Sequence, residues 1–180
     1  MARYYKYKRY YKPVYPRKRW ASNIGNITTR IPFSAGQTQS IGSTTICTNS
    51  AQSSNPTPVL IKFGRCKCKI DVQPITMPAT GANTLSLVAY LTFIPQGVDM
   101  TSPQVAYDVV KNHPEYVMGW QQISLDSPSS MSITSKLKRN LNSGDSVQII
   151  FIGGVNNEHP PQASIVYGLS CTYQFWTTSA

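Results

Sequence analysis

The sequence predicts an all-β protein, a β-sandwich or jelly roll of eight strands that follows a basic N-terminal arm. Apolar and polar residues alternate with period two through most of the chain, as in strands with one buried face. Turn-forming residues separate these runs, and about eight short strands in a body of this size fit a sandwich or jelly roll. The length of 180 residues allows one domain of ordinary size. We therefore expect a disordered basic and aromatic arm over residues 1–20 and one β-domain over residues 21–180.

Charge is unevenly distributed along the chain. Only 13% of the residues are charged, but 17 Lys and Arg against 7 Asp and Glu give a net charge of +10. The first 20 residues hold eight of these cations and no acid, so the remaining residues hold nine cations and seven acids. The cations of the arm are Arg3, Lys6, Lys8, Arg9, Lys12, Arg17, Lys18 and Arg19. A chain with this charge pattern is expected to meet a polyanion, mainly through its arm.

The arm is not expected to fold alone, because its like charges repel, it has no apolar face, and Pro13 and Pro16 interrupt any helix. Aromatic residues are interleaved with its cations: Tyr4, Tyr5, Tyr7, Tyr10, Tyr11, Tyr15 and Trp20. Aromatic rings stack on unpaired bases at about 1–3 kcal/mol per base while cations neutralise phosphates, which favours single strands. A solvated tail and a nuclear-import signal are alternative interpretations, and the import signal would use the same cations. An amphipathic membrane helix is disfavoured, because the tyrosines are not separated from the cations at helical spacing.

The strands of the body are predicted from period-two alternation. The predicted strands are 27–33, 40–48, 59–72, 85–93, 117–125, 131–138, 146–153 and the run that begins at 164. Turn residues separate them, notably Asn142-Ser143-Gly144-Asp145 and the stretch 156–161. One short helix is predicted after Phe93, with Ser102 as its cap, Pro103 in its first turn and Pro114 at its end.

Two basic clusters are predicted on the body. Alternation over 61–72 places Arg65, Lys67 and Lys69 on one face of a strand and the Cys66, Cys68 and Ile70 side chains on the other. The second cluster is Lys136, Lys138 and Arg139, with Met131, Ile133 and Leu137 facing the core. Either cluster is predicted to extend the nucleic-acid track of the arm or, alternatively, to be a solvated surface.

Catalytic, metal and membrane functions are not expected. The four cysteines, Cys47, Cys66, Cys68 and Cys171, are predicted to be reduced and mostly packed, since the C-x-C pair lacks the usual spacing of zinc ligands. His113 and His159 lie in proline-flanked loops without a motif for nucleophilic chemistry, so neither an enzyme nor a cofactor is predicted. No run approaches 18 apolar residues and no apolar segment follows the basic N-terminus, so we expect neither a membrane span nor a secretory signal.

Four segments give the chain a resemblance to a known family. They are F-G-R-C-K-C-K-I-D-V (63–72), L-T-F-I-P-Q-G-V (91–98), N-H-P-E-Y-V-M-G-W (112–120) and S-K-L-K-R-N-L-N-S-G-D (135–145). Together with the arm, they resemble capsid proteins of circovirus-like viruses, which have circular Rep-encoding single-stranded DNA genomes. The chain departs from circoviruses proper in being short and in having an arm sparse in Arg and dense in Tyr.

The resemblance implies a structural capsid protein with a single jelly roll. It implies self-assembly into a small icosahedral T=1 shell of 60 copies, arms that package the genome, location in the virion and in the host nucleus during assembly, and binding to import and cell-surface receptors. The loops 99–116 and 156–162 are the expected outer or intersubunit surfaces. A monomeric single-strand-binding β protein, the capsid of a small RNA virus, and a secreted lectin or adhesin remain as alternatives.

Overall fold

Two antiparallel sheets form the protein. The computed structural model describes residues 19–50, 60–76, 85–98, 103–125, 129–155 and 163–179. The strands in these residues are β1 (Ala21–Phe33), β2 (Gln39–Thr48), β3 (Ile61–Thr76), β4 (Leu85–Ile94), β5 (Val117–Ser124), β6 (Ser129–Ser135), β7 (Arg139–Leu141), β8 (Ser146–Val155) and β9 (Ile165–Ser179). The eight predicted strands are present, and β7 is an additional short one.

The strand order is that of a jelly roll. Sheet I has the order β1-β9-β3-β6, with β7 also paired to β3, and sheet II has the order β2-β8-β4-β5. The connections β1–β2, β2–β3, β3–β4, β5–β6, β7–β8 and β8–β9 pass between the two sheets, which confirms the predicted fold class.

The core lies between the two sheets and is built from the alternating apolar positions. Phe33, Phe63 and Phe151 are its largest fully buried side chains. Phe63 stacks on Phe175 with ring centroids 5.2 Å apart. The predicted apolar face of β9 is buried from Ile165 to Cys171 at every second residue and at Phe175, because those positions face sheet II.

The predicted helix is present as α1 (Pro103–Asn112), and a single 3-10 turn follows at Pro114–Tyr116. Pro103 begins α1, as expected of a residue with no backbone N–H to satisfy. The proposed cap, Ser102, lies outside the described residues. Among the described residues, no helix has the length and apolar character needed to span a bilayer.

One predicted boundary is wrong. β6 ends at Ser135 instead of continuing to residue 138, and residues 136–138 connect it to β7. Leu137 is 49% exposed and does not face the core as predicted, whereas Met131 and Ile133 are buried. The alternation of β6 stops when the chain leaves the sheet, so the parity of Leu137 no longer determines its direction.

Candidate nucleic-acid interface

The charged residues of the described strands are all in sheet I. They are Arg30 in β1, Lys62, Arg65, Lys67, Lys69 and Asp71 in β3, and Arg139 in β7. The four strands of sheet II contain no charged residue. Six of the nine cations that follow the arm therefore lie in strands of sheet I, although the body as a whole is close to neutral.

The predicted basic stripe on β3 is confirmed. Arg65, Lys67 and Lys69 are exposed, and the intervening Cys66 and Cys68 are buried against sheet II. β3 lies between β9 and β6, so the stripe crosses the middle of the outer face of sheet I. The neighbouring outward residues are small and polar, for example Thr172 and Ser132 beside Lys69. A polyanion can therefore approach the stripe without bulky obstruction.

Two further cations share this face and were not singled out from the sequence. Arg30 is exposed on β1, opposite Gly168 of β9. Lys62 pairs with the exposed Asn140, while the adjacent Phe63 points into the core. A single cation in a strand is not distinctive in the sequence. Only the pairing of β1 and β3 with β9 places Arg30 and Lys62 on the same outer face as the stripe.

Trp20, the last residue of the predicted arm and here called the arm root, packs on a β-bulge of β3. Gly64 and Arg65 lie between two ladder pairs of β3 where β9 has only Trp176, so β3 contains one extra residue at this point. Trp20 covers the bulge, and a Cβ on Gly64 would lie only 2.7 Å from the Cζ3 atom of the indole. The absence of a side chain at Gly64 thus lets the indole rest on the strand.

Lys138 also contacts this indole, with its Nζ atom 5.7 Å from the Trp20 ring centroid, a cation–π contact. Trp20 remains 39% exposed. The structure therefore brings the arm root, the β3 stripe and one member of the second basic cluster together on sheet I.

The second basic cluster is not one surface. Lys136 and Lys138 are exposed. Arg139 instead donates a hydrogen bond of 2.6 Å from Nη2 to the Glu115 carbonyl oxygen and lies 5.8 Å from the Phe93 ring centroid. These contacts hold the Arg139 guanidinium against the loop before β5, away from the Trp20 contact.

One acidic side chain lies among these cations. Asp71 is the single acid in the described strands of sheet I, and its Oδ1 atom is 3.4 Å from the Nζ atom of Lys69. Both side chains are well exposed, so the ion pair contributes little to stability.

The prediction that the cysteines are mostly packed in the core is confirmed. Cys66, Cys68 and Cys171 are buried, Cys47 is half-buried, and all four are free thiols. Hydrogen bonding to Cys171 and to Cys66, together with burial, holds the pKa of Cys68 above its usual range. Such a thiol is a poor nucleophile and a poor metal ligand at neutral pH.

His113 lies on the exposed loop after α1. Its Nδ1 atom is 3.0 Å from Oε1 of Glu115, and its ring stacks on Tyr116. The pKa of Glu115 is lowered by a backbone hydrogen bond within the same residue and by the hydrogen bond from His113. His159 lies outside the described residues.

Most of the predicted arm site also lies outside the described residues. This applies to Arg3, Tyr4, Tyr5, Lys6, Tyr7, Lys8, Arg9, Tyr10, Tyr11, Lys12, Tyr15, Arg17 and Lys18. Arg19 and Trp20 are described and exposed.

No family model matches the chain, and no curated protein is similar to it. Solved structures with a similar fold include Desmodium yellow mottle tymovirus, at 15% identity and a TM-score of 0.42, covering 93% of this chain and 91% of that one. A 60-mer BFDV capsid protein has 10% identity and a TM-score of 0.42, covering 92% of this chain and 96% of that one. A Macrobrachium rosenbergii nodavirus particle has 12% identity and a TM-score of 0.44, covering 100% of this chain and 94% of that one. At these values the likenesses do not assign the chain to a family.

Proposed function

We propose that this protein is the capsid protein of a circovirus-like virus with circular single-stranded DNA. In this proposal, the arm and the outer face of sheet I bind the genome inside a shell of 60 copies. Sheet II and the loops make the contacts between copies and with the host cell. The same arm cations serve nuclear import before assembly.

The sorting of charge between the two sheets is the observation that carries the proposal. A shell subunit needs one surface that attracts phosphates and other surfaces that pack closely against copies of itself. The outer face of sheet I has five exposed or half-exposed cations and one acid, and the strands of sheet II have no charged residue. Trp20, the last residue of the arm, contacts β3 and Lys138 on this face, which supports a binding surface shared by the arm and the face.

The fold and the sequence resemblance support the same assignment. Jelly rolls occur in viral capsid domains, and also in lectins and cupins, so the fold by itself does not choose among them. The resemblance covers β3, the end of β4, the start of β5 and the turn before β8. A lectin or cupin site has no need of a basic arm, whereas a genome-packaging shell does.

The arm supplies enough charge for packaging. With roughly 60 copies, arms of +8 carry about 480 cations, sufficient to neutralise several hundred phosphates through counterion release. Contacts to phosphates and stacking on bases carry little sequence information, so packaging by the arm is expected to tolerate any sequence.

Electron microscopy and light scattering of the purified full chain test the assembly. We expect closed particles of megadalton mass. A stable monomer that binds single-stranded DNA tightly would contradict the capsid assignment and support the monomeric single-strand binder. Identification of the nucleic acid extracted from particles as RNA would contradict the DNA genome.

Deletion of residues 1–18 tests the arm and leaves Trp20 on the body. We expect the affinity for single-stranded DNA to fall by at least about tenfold, because eight cations become one. Particles should still form. Unchanged affinity, measured by fluorescence anisotropy against the full chain, would contradict the role of the arm.

A further inference from the structure

A polar notch lies on the outer face of sheet I, at the end remote from Trp20. It is lined by residues of β1, β9 and β3, including Arg30, Gly168, Asp71, Gln73 and Ile75. Arg30 is nine residues along β1 from Ala21, which places the notch about 30 Å from the arm root. We propose that this notch binds a guanine base of the single-stranded nucleic acid that crosses the face. The inference rests on the proposed nucleic-acid function and adds a base preference to it.

The strand register creates the notch. Arg30 of β1 pairs with Gly168 of β9, and Gly168 pairs with Gln73 of β3. Because neighbouring strands are about 4.8 Å apart, the Cα atoms of Arg30 and Gln73 are separated by roughly 10 Å. Gly168 has no side chain of its own in that gap, and its backbone is covered by the side chain of Ile75.

A second bulge builds one wall. Ile75 is an extra residue of β3 between its pairs with Tyr167 and Val166, and its side chain is 53% exposed. It leans over Gly168, where a Cβ would lie 3.0 Å from the Cδ1 atom of Ile75. The notch thus has an apolar wall against which the flat face of a ring can pack.

The polar groups around the notch match guanine. The adjacent row of the sheet, Thr28–Ser170–Asp71, supplies a carboxylate, and Arg30 supplies the guanidinium. The O6 and N7 atoms of guanine accept hydrogen bonds, and an arginine can donate to both. The adjacent N1–H and N2–H groups donate hydrogen bonds, and a carboxylate can accept both. Thymine has no pair of adjacent donors for the carboxylate. Adenine and cytosine each offer the carboxylate a single amino group, without the adjacent ring N–H that guanine has.

Asp71 is unfavourable for phosphate binding, which favours a role in reading bases. It is the single acid in the described strands of a cationic face, and it is 3.4 Å from Lys69. A carboxylate repels phosphates and weakens a neighbouring lysine, so it lowers affinity for the backbone. Asp71 has a function on this face if it accepts hydrogen bonds from base N–H groups. Phosphate contacts position a nucleic-acid strand, whereas base contacts distinguish its sequence.

Binding of oligothymidylates that carry one central guanine, cytosine or adenine tests the notch. The full chain is titrated by fluorescence anisotropy at raised salt, where phosphate contacts by the arm are weakened. We expect the guanine oligonucleotide to bind about five- to tenfold more tightly than the all-thymine one. Equal affinities for all four oligonucleotides would overturn the guanine site and leave the proposed function standing. Failure to bind any of them at low salt as well would overturn the proposed function.

The substitution Asp71→Asn distinguishes the two effects of the carboxylate, which accepts hydrogen bonds from guanine and repels phosphates. It should abolish the guanine preference and at the same time tighten binding of the all-thymine oligonucleotide, because one negative charge is removed from the face. Gly168→Ala should reduce the preference without any change of charge, since the new methyl group would displace the Ile75 side chain that forms the apolar wall. Glu115→Gln, at an exposed carboxylate beside His113, is the matched control and should retain the preference. A preference that persists in Asp71→Asn would contradict the inference.

Discussion

Asp145 shows how one residue can join three connections of the sandwich. It is 4% exposed, and its carboxylate accepts hydrogen bonds from the backbone N–H groups of Gln96, at 2.9 Å, and of Asn142, at 2.8 Å. Its carbonyl oxygen accepts a hydrogen bond from the N–H of Asn49. The residues after β2, β4 and β7 are thereby held at one end of the molecule.

Asp145→Ala is expected to destabilise the fold by about 2–4 kcal/mol, because it removes two hydrogen bonds to a charged acceptor. Thermal unfolding of the full chain should then occur roughly 5–15 °C lower. Asp145→Asn keeps one acceptor oxygen and should have an intermediate effect. An Asp145→Ala variant that melts with the wild type would contradict this role.

Gly144 lies in the predicted turn before β8 and has a backbone conformation that favours glycine. It has φ of +88°, a conformation that glycine adopts without strain, and a Cβ would lie 2.6 Å from Cγ of Gln96. The sequence Asn142-Ser143-Gly144-Asp145 was predicted as a turn from its composition. That it also contacts the loop after β4 is a consequence of the tertiary structure.

At the level of elements, β3 contributes to both the core and the cationic face. Its inward residues pack in the core, and its outward residues form the stripe. The Gly64–Arg65 bulge changes the parity of the outward positions, from Lys62 before it to Arg65 and Lys67 after it. Without the extra residue, the strand could not place both Lys62 and Lys67 on one face.

The triple substitution R65Q/K67Q/K69Q is expected to weaken binding of single-stranded DNA without unfolding the protein, since all three side chains are exposed. Each lost phosphate contact reduces the slope of log affinity against log salt by about 0.7, so the slope should fall by about 2. Lys111→Gln, at an exposed position on α1, is the control and should leave the slope unchanged. An unaltered slope in the triple variant would show that phosphates do not contact the stripe.

At the scale of the whole molecule, the two sheets present different surfaces. Sheet II carries Trp120, which is 62% exposed on the strand β5 at its edge. Trp120 lies beside Tyr90 and Tyr107 in a cleft between α1 and the sheet. Among the described residues, Lys111 of α1 is the one charged residue that lines this cleft. Aromatic residues are typical of the centres of protein interfaces, which fits the proposed contacts between copies.

Trp120→Ser is expected to weaken assembly, so that particles dissociate at higher protein concentration than those of the wild type. Sedimentation velocity over a dilution series measures this. Ile24→Ser is the control, because Ile24 is 73% exposed on the outer face of sheet I and lies outside the proposed contact. If the two variants assemble alike, the sheet II face is not a subunit contact.

The sequence by itself determined the class of fold, the helix α1, and the two faces of β3 and β9. These follow from alternation and from turn chemistry, which act between neighbours in the chain. The predicted inward direction of the Leu137 side chain is wrong, because alternation determines side-chain direction only while the strand continues. Leu137 lies beyond the end of β6, and no local pattern marks that end.

The tertiary structure alone decided which side chains meet on the outer face of sheet I. Arg30, Gly64, Gln73 and Gly168 are unremarkable in the sequence, and Trp20 was assigned to the arm. The pairing of β1 and β3 on either side of β9 places these residues together, and two bulges adjust their direction. The pairing of β1 and β3 with β9 joins residues 90 to 156 positions apart, so the cationic face and its notch exist only once the sandwich has closed.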